Sequence, residues 1–421
     1  MKVHVETYGC AKNQADSEIM EAQIDDSRHE LSDFKKAEVI VLNTCIVKSK
    51  TENRMRNRLK ELSDSDKEIL VAGCMPESLM ETVEELAPEA YMLGPSSVGM
   101  VTSLLEKLEQ DERTLYIGGK KPDKTEFSKK SSNPVRRIVP ISEGCTGACT
   151  FCITKKARKN LKSYPLEDIV EEVRRGVSQG AREFYICAED TGCYGFDTGR
   201  SLPQLMRSIS KIDGDFKVRI GMMNPDNALK VLDGLVKSYK SEKFYNFLHV
   251  PVQSGSNSVL EDMNRNYSIE EFEKVVSAFR EEIPDLNLAT DIIAGFPTES
   301  DENFQKTLEL LERVKPEVVN VSRYGSRPRT VARRKFKDNP TEIIKERSKK
   351  VSKLVHEILK EKKKQLLGER RRILVTEEKE EVSKGRDSSY NQILLDRGEP
   401  GDFKEVEITD YEKFYLKAKS V

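Results

Sequence analysis

Near the amino terminus, short β-branched apolar runs alternate with stretches of helical period. VHVETYGC ends at Cys10, EVIVLNTC at Cys45 and EILVAGC at Cys74. Each reads as a buried strand followed at once by a cysteine. DSEIMEAQID and KTENRMRNRLKELS, lying between them, read as helices. Such alternation predicts a parallel α/β sheet, and ligands of these sheets bind at the carboxyl ends of the strands. Three cysteines therefore reach one edge. There they either converge on a ligand or stay buried as structural thiols.

The polar stretch GGKKPDKTEFSKKSSNP reads as a linker, and alternation resumes beyond it. RIVPIS, EFYICA, KVRIGMM, FLHVPV, LATDIIAGF and VVNVSRY read as strands, with helical stretches such as PLEDIVEEVRRGVSQG and IEEFEKVVSAFREEIP between them. Six such units predict a partial (β/α)6 barrel whose chemistry sits at its carboxyl-end face. NPTEIIKERSKKVSKLVHEILKEKKKQLLG reads as one long helix stopped at Gly368. The rest, with short alternating runs and Gly-containing turns, predicts a small antiparallel β-barrel. The fold class expected is multi-domain α/β: a parallel-sheet domain over residues 1–125, a linker over 126–134, the partial barrel with its basic helix over 135–365, and the small barrel over 366–421.

Composition narrows the function classes. The 421 residues are 37% apolar and 34% charged, as in a folded soluble protein too long for one core. No apolar run of membrane-spanning length occurs, and the opening MKVHVETYGC does not resemble a signal peptide, so a cytoplasmic location with no membrane partner is expected. In that compartment eight cysteines are metal ligands or reactive thiols before they are disulfides. Charge is uneven: residues 333–372 carry 16 Lys/Arg against 6 Asp/Glu, whereas residues 1–133 carry 19 against 25 and residues 373–421 carry 8 against 12. The basic band is either a footprint for a polyanion or a solvated helix face. The acidity of the tail weakens the oligonucleotide-binding reading that small barrels otherwise invite.

The densest chemistry is EGCTGACTFCI, with Cys145, Cys149 and Cys152 on one loop directly after the first barrel strand, and no further Cys or His within thirty residues downstream. A structural zinc needs four protein ligands. Three thiolates instead suit a four-iron cluster with one iron left to a non-protein ligand. CTGACTFC resembles the signature of radical S-adenosylmethionine (SAM) enzymes. The resemblance implies that SAM is the fourth ligand, that one electron passes from the cluster to its sulfonium, and that a 5′-deoxyadenosyl radical then takes hydrogen from a substrate. TYGCAKNQADSE, VLNTCIV, GCMPE, HVPVQSGSNSVLEDMNR and TDIIAGFPTESDENF, in that order along the chain, resemble the methylthiotransferase family. That likeness implies a second four-iron cluster on Cys10, Cys45 and Cys74, and a tail similar to the TRAM RNA-binding barrel.

SRYGSRPRTVARR resembles the archaeal and eukaryotic branch, which methylthiolates C2 of N6-threonylcarbamoyladenosine in tRNA. The partners implied are the tRNA anticodon stem-loop, an electron donor and a sulfur source. A threonyl carboxylate needs cations, and Lys155, Lys156, Arg158, Lys159 and Arg327 are the expected substrate contacts; such cations would also meet phosphates. Phe151, Glu189, Arg219, Gln253 and Asp291 are the expected SAM contacts. Two positions depart from the family: Lys159 stands where glycine is usual, and Glu189 where an amide is common. Cys187 reads as core, Cys193 as a stray thiol, and His249 as core or substrate-adjacent. Two other readings compete: modification of a ribosomal-protein aspartate, and a non-catalytic, zinc-stabilised RNA-binding protein.

Overall fold

The computed structural model describes every residue except Lys48 and Glu381. The amino-terminal runs form a six-stranded, wholly parallel sheet in the order β2-β1-β3-β4-β5-β6. Its strands are β1 (Lys2–Thr7), β2 (Glu30–Leu31), β3 (Val39–Thr44), β4 (Glu68–Gly73), β5 (Tyr91–Leu93) and β6 (Leu115–Tyr116). The central strand β3 is buried at all six positions. Ile40 and Leu42 feed one core while Val39 and Val41 feed the other, which is why VIVL has no polar alternation.

Segment 117–134 contains no strand or helix, as its polar composition suggested, yet it is held down. Phe127 packs so closely that a β-carbon on Gly99 would strike its ring at 2.6 Å. Lys124 is only 1% exposed.

The central unit opens with β7 (Arg136–Pro140) and the antiparallel pair β8 (Ser142–Glu143) and β9 (Lys162–Ser163). It continues through β10 (Glu183–Cys187), β11 (Lys217–Ile220), β12 (Phe247–His249), β13 (Asn287–Ala294) and β14 (Val318–Arg323). Two parallel three-stranded sheets, β11-β10-β7 and β12-β13-β14, are joined by a parallel bridge from Val218 to Phe244. The six parallel strands coincide with the six runs read from the sequence. Alternation assigns two faces: Val139, Phe184, Ile186, Val218 and Ile220 pack outward under the helices, while Ile138, Tyr185, Arg219, Phe247 and Ala289 face inward. Helix Ala11–Asp25 of the first unit lies against that inner face, seating Ala11 and Ala15 on Ile138, Tyr185 and Cys187.

Helix Thr341–Gln365 ends three residues before Gly368, which takes φ +81°. It leads into a closed barrel of β15 (Arg370–Lys379), β16 (Val382–Asp387), β17 (Gln392–Leu395), β18 (Phe403–Tyr411) and β19 (Leu416–Ser420), in the order β15-β16-β17-β19-β18. The barrel was expected to be antiparallel, but β17 and β19 pair in parallel. A closed ring of five strands cannot alternate direction all the way round, so one parallel pair is required. The turn between β16 and β17 docks at the amino ends of β12 and β13, where Asn246 N donates to Ser388 O at 2.7 Å and Asn287 Nδ2 to Ser389 O at 2.6 Å. Among the described residues no helix is long and apolar enough to cross a membrane.

Candidate functional site

Strand register brings the first three cysteines together. Thr44 pairs with Gly73 across β3 and β4, so Cys45 and Cys74 emerge side by side from neighbouring strands. Cys10 follows β1, the other neighbour of β3. Cys10 and Cys45 line one cavity of about 750 Å³ with Tyr8, Arg54 and Arg58. Gly9 has φ +137°, and a β-carbon there would lie 2.5 Å from that of Cys45, so only glycine lets the two loops approach. Asn13, 1% exposed, stitches them: its Nδ2 donates to Thr44 O at 2.9 Å and to Asn43 Oδ1 at 3.1 Å. Burial, and after it the neighbouring charge of Cys10, pushes the Cys45 thiol up. Burial pushes Cys74 up to about 12, with Arg158 opposing and Cys45 and Cys10 adding.

The second trio sits on the loop after β8, clamped from several sides. Thr150 N donates to Met263 O at 3.0 Å, Asn264 Nδ2 to Ala148 O at 2.9 Å and Lys155 Nζ to Cys145 O at 2.7 Å. Gly147 lies between two of the sulfurs: a β-carbon there would stand 3.8 Å from both Cys145 Sγ and Cys149 Sγ. Burial raises Cys145 to about 12, opposed by Lys155 and reinforced by Cys152; Cys152 is raised by burial and then by Cys149. Thiols this buried ionise at neutral pH only when a metal takes the proton's place. The donor set of each trio, soft sulfur and three per site, fits an iron–sulfur cluster with an open position.

Between the trios lies a buried ionic network. Arg158 donates to Glu143 Oε1 at 2.6 Å and to Asp16 Oδ2 at 2.8 Å, and its Nε stands 3.8 Å from Glu189 Oε1. Lys12 pairs with Glu143 at 3.1 Å; Lys124 pairs with Asp16 at 2.5 Å and Glu143 at 3.2 Å. Three cations thus face three carboxylates, and all but the half-buried Glu189 are at most 3% exposed. Lys12 is two residues past Cys10 and Glu143 two before Cys145, so the network ties one cysteine loop to the other.

This corrects the substrate reading of Arg158, which is locked in the interior. Arg327 is corrected likewise: it is 7% exposed and paired with Glu52 of the first unit. Lys155 is spent on the cysteine loop. Lys159 pairs with Glu77 at 2.7 Å and has φ +53°, ψ −141°, which explains why glycine suits this position. Lys156 remains exposed, without an ion pair among the described residues.

The expected SAM contacts are dispersed. Phe151 meets Phe296 edge-on at 6.5 Å, next to the cysteine loop. Gln253 follows β12 at φ +70°, a conformation costly for a non-glycine residue and held by backbone bonds to Asp291 and Ile293. Asp291 Oδ1 accepts from His249 Nε2 at 3.1 Å and Asn320 Nδ2 at 2.8 Å. Glu189 Oε2 accepts from Gly144 N at 2.7 Å, bracing the loop. Arg219 lies a layer below the strand ends, its guanidinium about equidistant from the rings of Tyr185, Phe247 and Tyr390 at 5.4, 5.0 and 5.2 Å. Cys187 is in the core and Cys193 is fully buried, donating to Asp190 O at 3.2 Å.

Sequence reasoning did not single out Lys12, Asp16, Lys124, Glu143, Asp190, Asn224 and Arg265. Asp190, fully buried, accepts from Asn224 Nδ2 at 2.7 Å and Asn227 Nδ2 at 2.8 Å. Lys12, Asp16, Glu143 and Arg265 lie within the motifs TYGCAKNQADSE, EGCTGACTFCI and HVPVQSGSNSVLEDMNR, which was the signal in the chain itself.

Family models match three parts: the Radical SAM superfamily over residues 139–311, Uncharacterized protein family UPF0004 over 2–94 and the TRAM domain over 364–421. The chain is 42% identical over 421 residues to a probable threonylcarbamoyladenosine tRNA methylthiotransferase of Pyrococcus horikoshii, covering 99% of this chain and 98% of that one. It is 33% identical over 433 residues to the Homo sapiens threonylcarbamoyladenosine tRNA methylthiotransferase, covering all of this chain and 74% of that one. Among solved structures, the radical SAM methyltransferase TsrM of Kitasatospora setae superposes with a TM-score of 0.57 at 13% identity, covering 79% of this chain and 74% of that one, a likeness of fold. A SAM-binding four-iron cluster on a partial barrel, a TRAM barrel and full-length relatives all agree, and the chain belongs to the threonylcarbamoyladenosine tRNA methylthiotransferase family of radical SAM enzymes.

Proposed function

We propose that this protein places a methylthio group on C2 of N6-threonylcarbamoyladenosine in tRNA, beside the anticodon, using two four-iron clusters. The observation that carries the reading is the pair of cysteine trios on loops fixed to one another by the Arg158 network. When bound, the cluster of Cys145, Cys149 and Cys152 would supply the electron that cleaves one SAM to its radical, and that of Cys10, Cys45 and Cys74 would hold the sulfur to which a second SAM gives its methyl.

The residues of the chain do the holding. Lys155 and Glu189 fix the Cys145 loop through its carbonyl and the Gly144 amide. Phe151 offers an aromatic face for the adenine of SAM beside that loop. Lys156, exposed on the following helix, is the cation left to meet the threonyl carboxylate. Lys345, Lys349, Lys353 and Lys360 form an exposed flank on helix Thr341–Gln365 for the RNA phosphates, next to the TRAM barrel. The site of action is proposed to be the cytoplasm.

The test is anaerobic incubation of reconstituted protein with SAM, dithionite, sulfide and tRNA carrying the threonylcarbamoyl group, followed by mass spectrometry of the nucleosides. The methylthio nucleoside is expected, and it is expected to be absent when the tRNA lacks the threonylcarbamoyl group. Cluster-loaded protein that leaves the modified tRNA unchanged would overturn the reading.

A further inference from the structure

Arg265 is a half-buried guanidinium that, among the described residues, hydrogen-bonds no carboxylate. It follows a turn in which Asn264 takes φ +55° and holds the Cys145–Cys152 loop through Ala148 O. Its Nη1 donates to Cys149 Sγ at 3.0 Å, its Nε to Tyr267 OH at 3.1 Å and its Nη2 to Asn224 Oδ1. A weaker contact runs from Nη2 to Pro251 O at 3.5 Å, and the Tyr267 ring lies 5.0 Å from the guanidinium carbon. Among the described residues no Asp or Glu oxygen comes within 4.0 Å of it. Drawing a guanidinium partly out of water is costly unless an anion meets it, and Asp226 lies within its field without bonding to it. Of its bonded partners, the Cys149 sulfur is the one that would carry negative charge once it is a ligand of the cluster. Asn224 is itself gripped by the buried Asp190 through Nδ2 at 2.7 Å and its backbone N at 3.0 Å. The cation is therefore held against the sulfur from outside the cysteine loop.

We propose that Arg265 is a positioning residue that sets the reduction potential of the cluster held by Cys145, Cys149 and Cys152. Hydrogen bonds to the sulfurs and local net charge are among the determinants of iron–sulfur potentials. In a water-poor site a charged N–H···S bond acts strongly. Reduction adds one electron to the cluster from an external low-potential one-electron donor, and Arg265 makes and breaks no covalent bond. Its fixed charge favours the reduced form, so a weaker donor suffices. The inference rests on the cluster assignment above.

The test uses full-length reconstituted protein and Arg265→Gln and Arg265→Lys. Iron and acid-labile sulfide are measured first. Then the spectroscopic signal that changes on adding SAM is titrated against potential with dithionite as reductant. Arg265→Gln at parental iron content is expected to shift the midpoint to lower potential, and Arg265→Lys to return it most of the way. An unchanged midpoint in Arg265→Gln, or a shift as large in Arg265→Lys, overturns the proposal. Should Arg265→Gln lose its iron, retention by Arg265→Lys supports the charge pairing and loss by both overturns it. A parent protein with no iron–sulfur signal overturns the cluster assignment itself.

Discussion

At residue 159 a lysine occupies backbone space that suits glycine, with φ +53° and ψ −141°. Such strain costs on the order of 1–3 kcal/mol, while its half-exposed pair with Glu77 returns about 0–1 kcal/mol. Lys159→Gly is therefore expected to stabilise the protein by about 1 kcal/mol. Lys159→Ala, which keeps the strain and loses the pair, is expected to destabilise it; denaturant midpoints of the two variants distinguish these outcomes. The departure from glycine was legible in the sequence because it broke a family motif. Its backbone reason was not, since φ is unwritten in residue type. Arg158, one residue earlier, shows the complementary limit. A cation after a cysteine loop reads as a substrate contact until its partner Asp16, far back in the chain, is seen to face it.

Elements proved more legible than side chains. The six inner strands and the long helix were readable because apolar period reports which face is buried, and register then follows from β-branched runs such as VIVL. Segment 117–134 was harder: polar composition reports charge but not whether charge is paired, so the stretch read as a linker and the burial of Lys124 went unannounced. The network it joins fixes helix Ala11–Asp25 to β8 and helix Thr154–Arg158. Arg158→Met leaves two cations, Lys12 and Lys124, facing three carboxylates, and is expected to cost about 3–5 kcal/mol. Arg372→Ala, which breaks the exposed pair with Asp215, is expected to cost under about 1 kcal/mol. Equal thermal shifts in the two variants would contradict this weighting. No sequence period announces Arg265 either, because Cys149 meets it only through the fold.

Over the whole molecule, the two cysteine trios gather at the carboxyl ends of their strands and the TRAM barrel docks at the opposite end of the central unit. Tyr390, at φ +67° in the β16–β17 turn, plugs that end: its ring packs 4.8 Å from Tyr245 and 4.9 Å from Phe247, and its hydroxyl meets that of Tyr185. Tyr390 is half-buried, so removing its ring is expected to cost part of the about 3–5 kcal/mol of a full core truncation. Tyr390→Ala is expected to release the TRAM barrel, seen as faster proteolysis near residue 366, with cluster content unchanged. Loss of iron instead would mean that the plug supports the cysteine loops directly.

The central claim is that one chain holds two separate clusters on three cysteines each. Iron and acid-labile sulfide, measured anaerobically after reconstitution, test it most directly, comparing the parent with the triple alanine variants of Cys145, Cys149 and Cys152 and of Cys10, Cys45 and Cys74. The account predicts about eight irons in the parent and about four in each variant. An amino-terminal variant that keeps the parental iron, or a parent that holds zinc without sulfide, would contradict it.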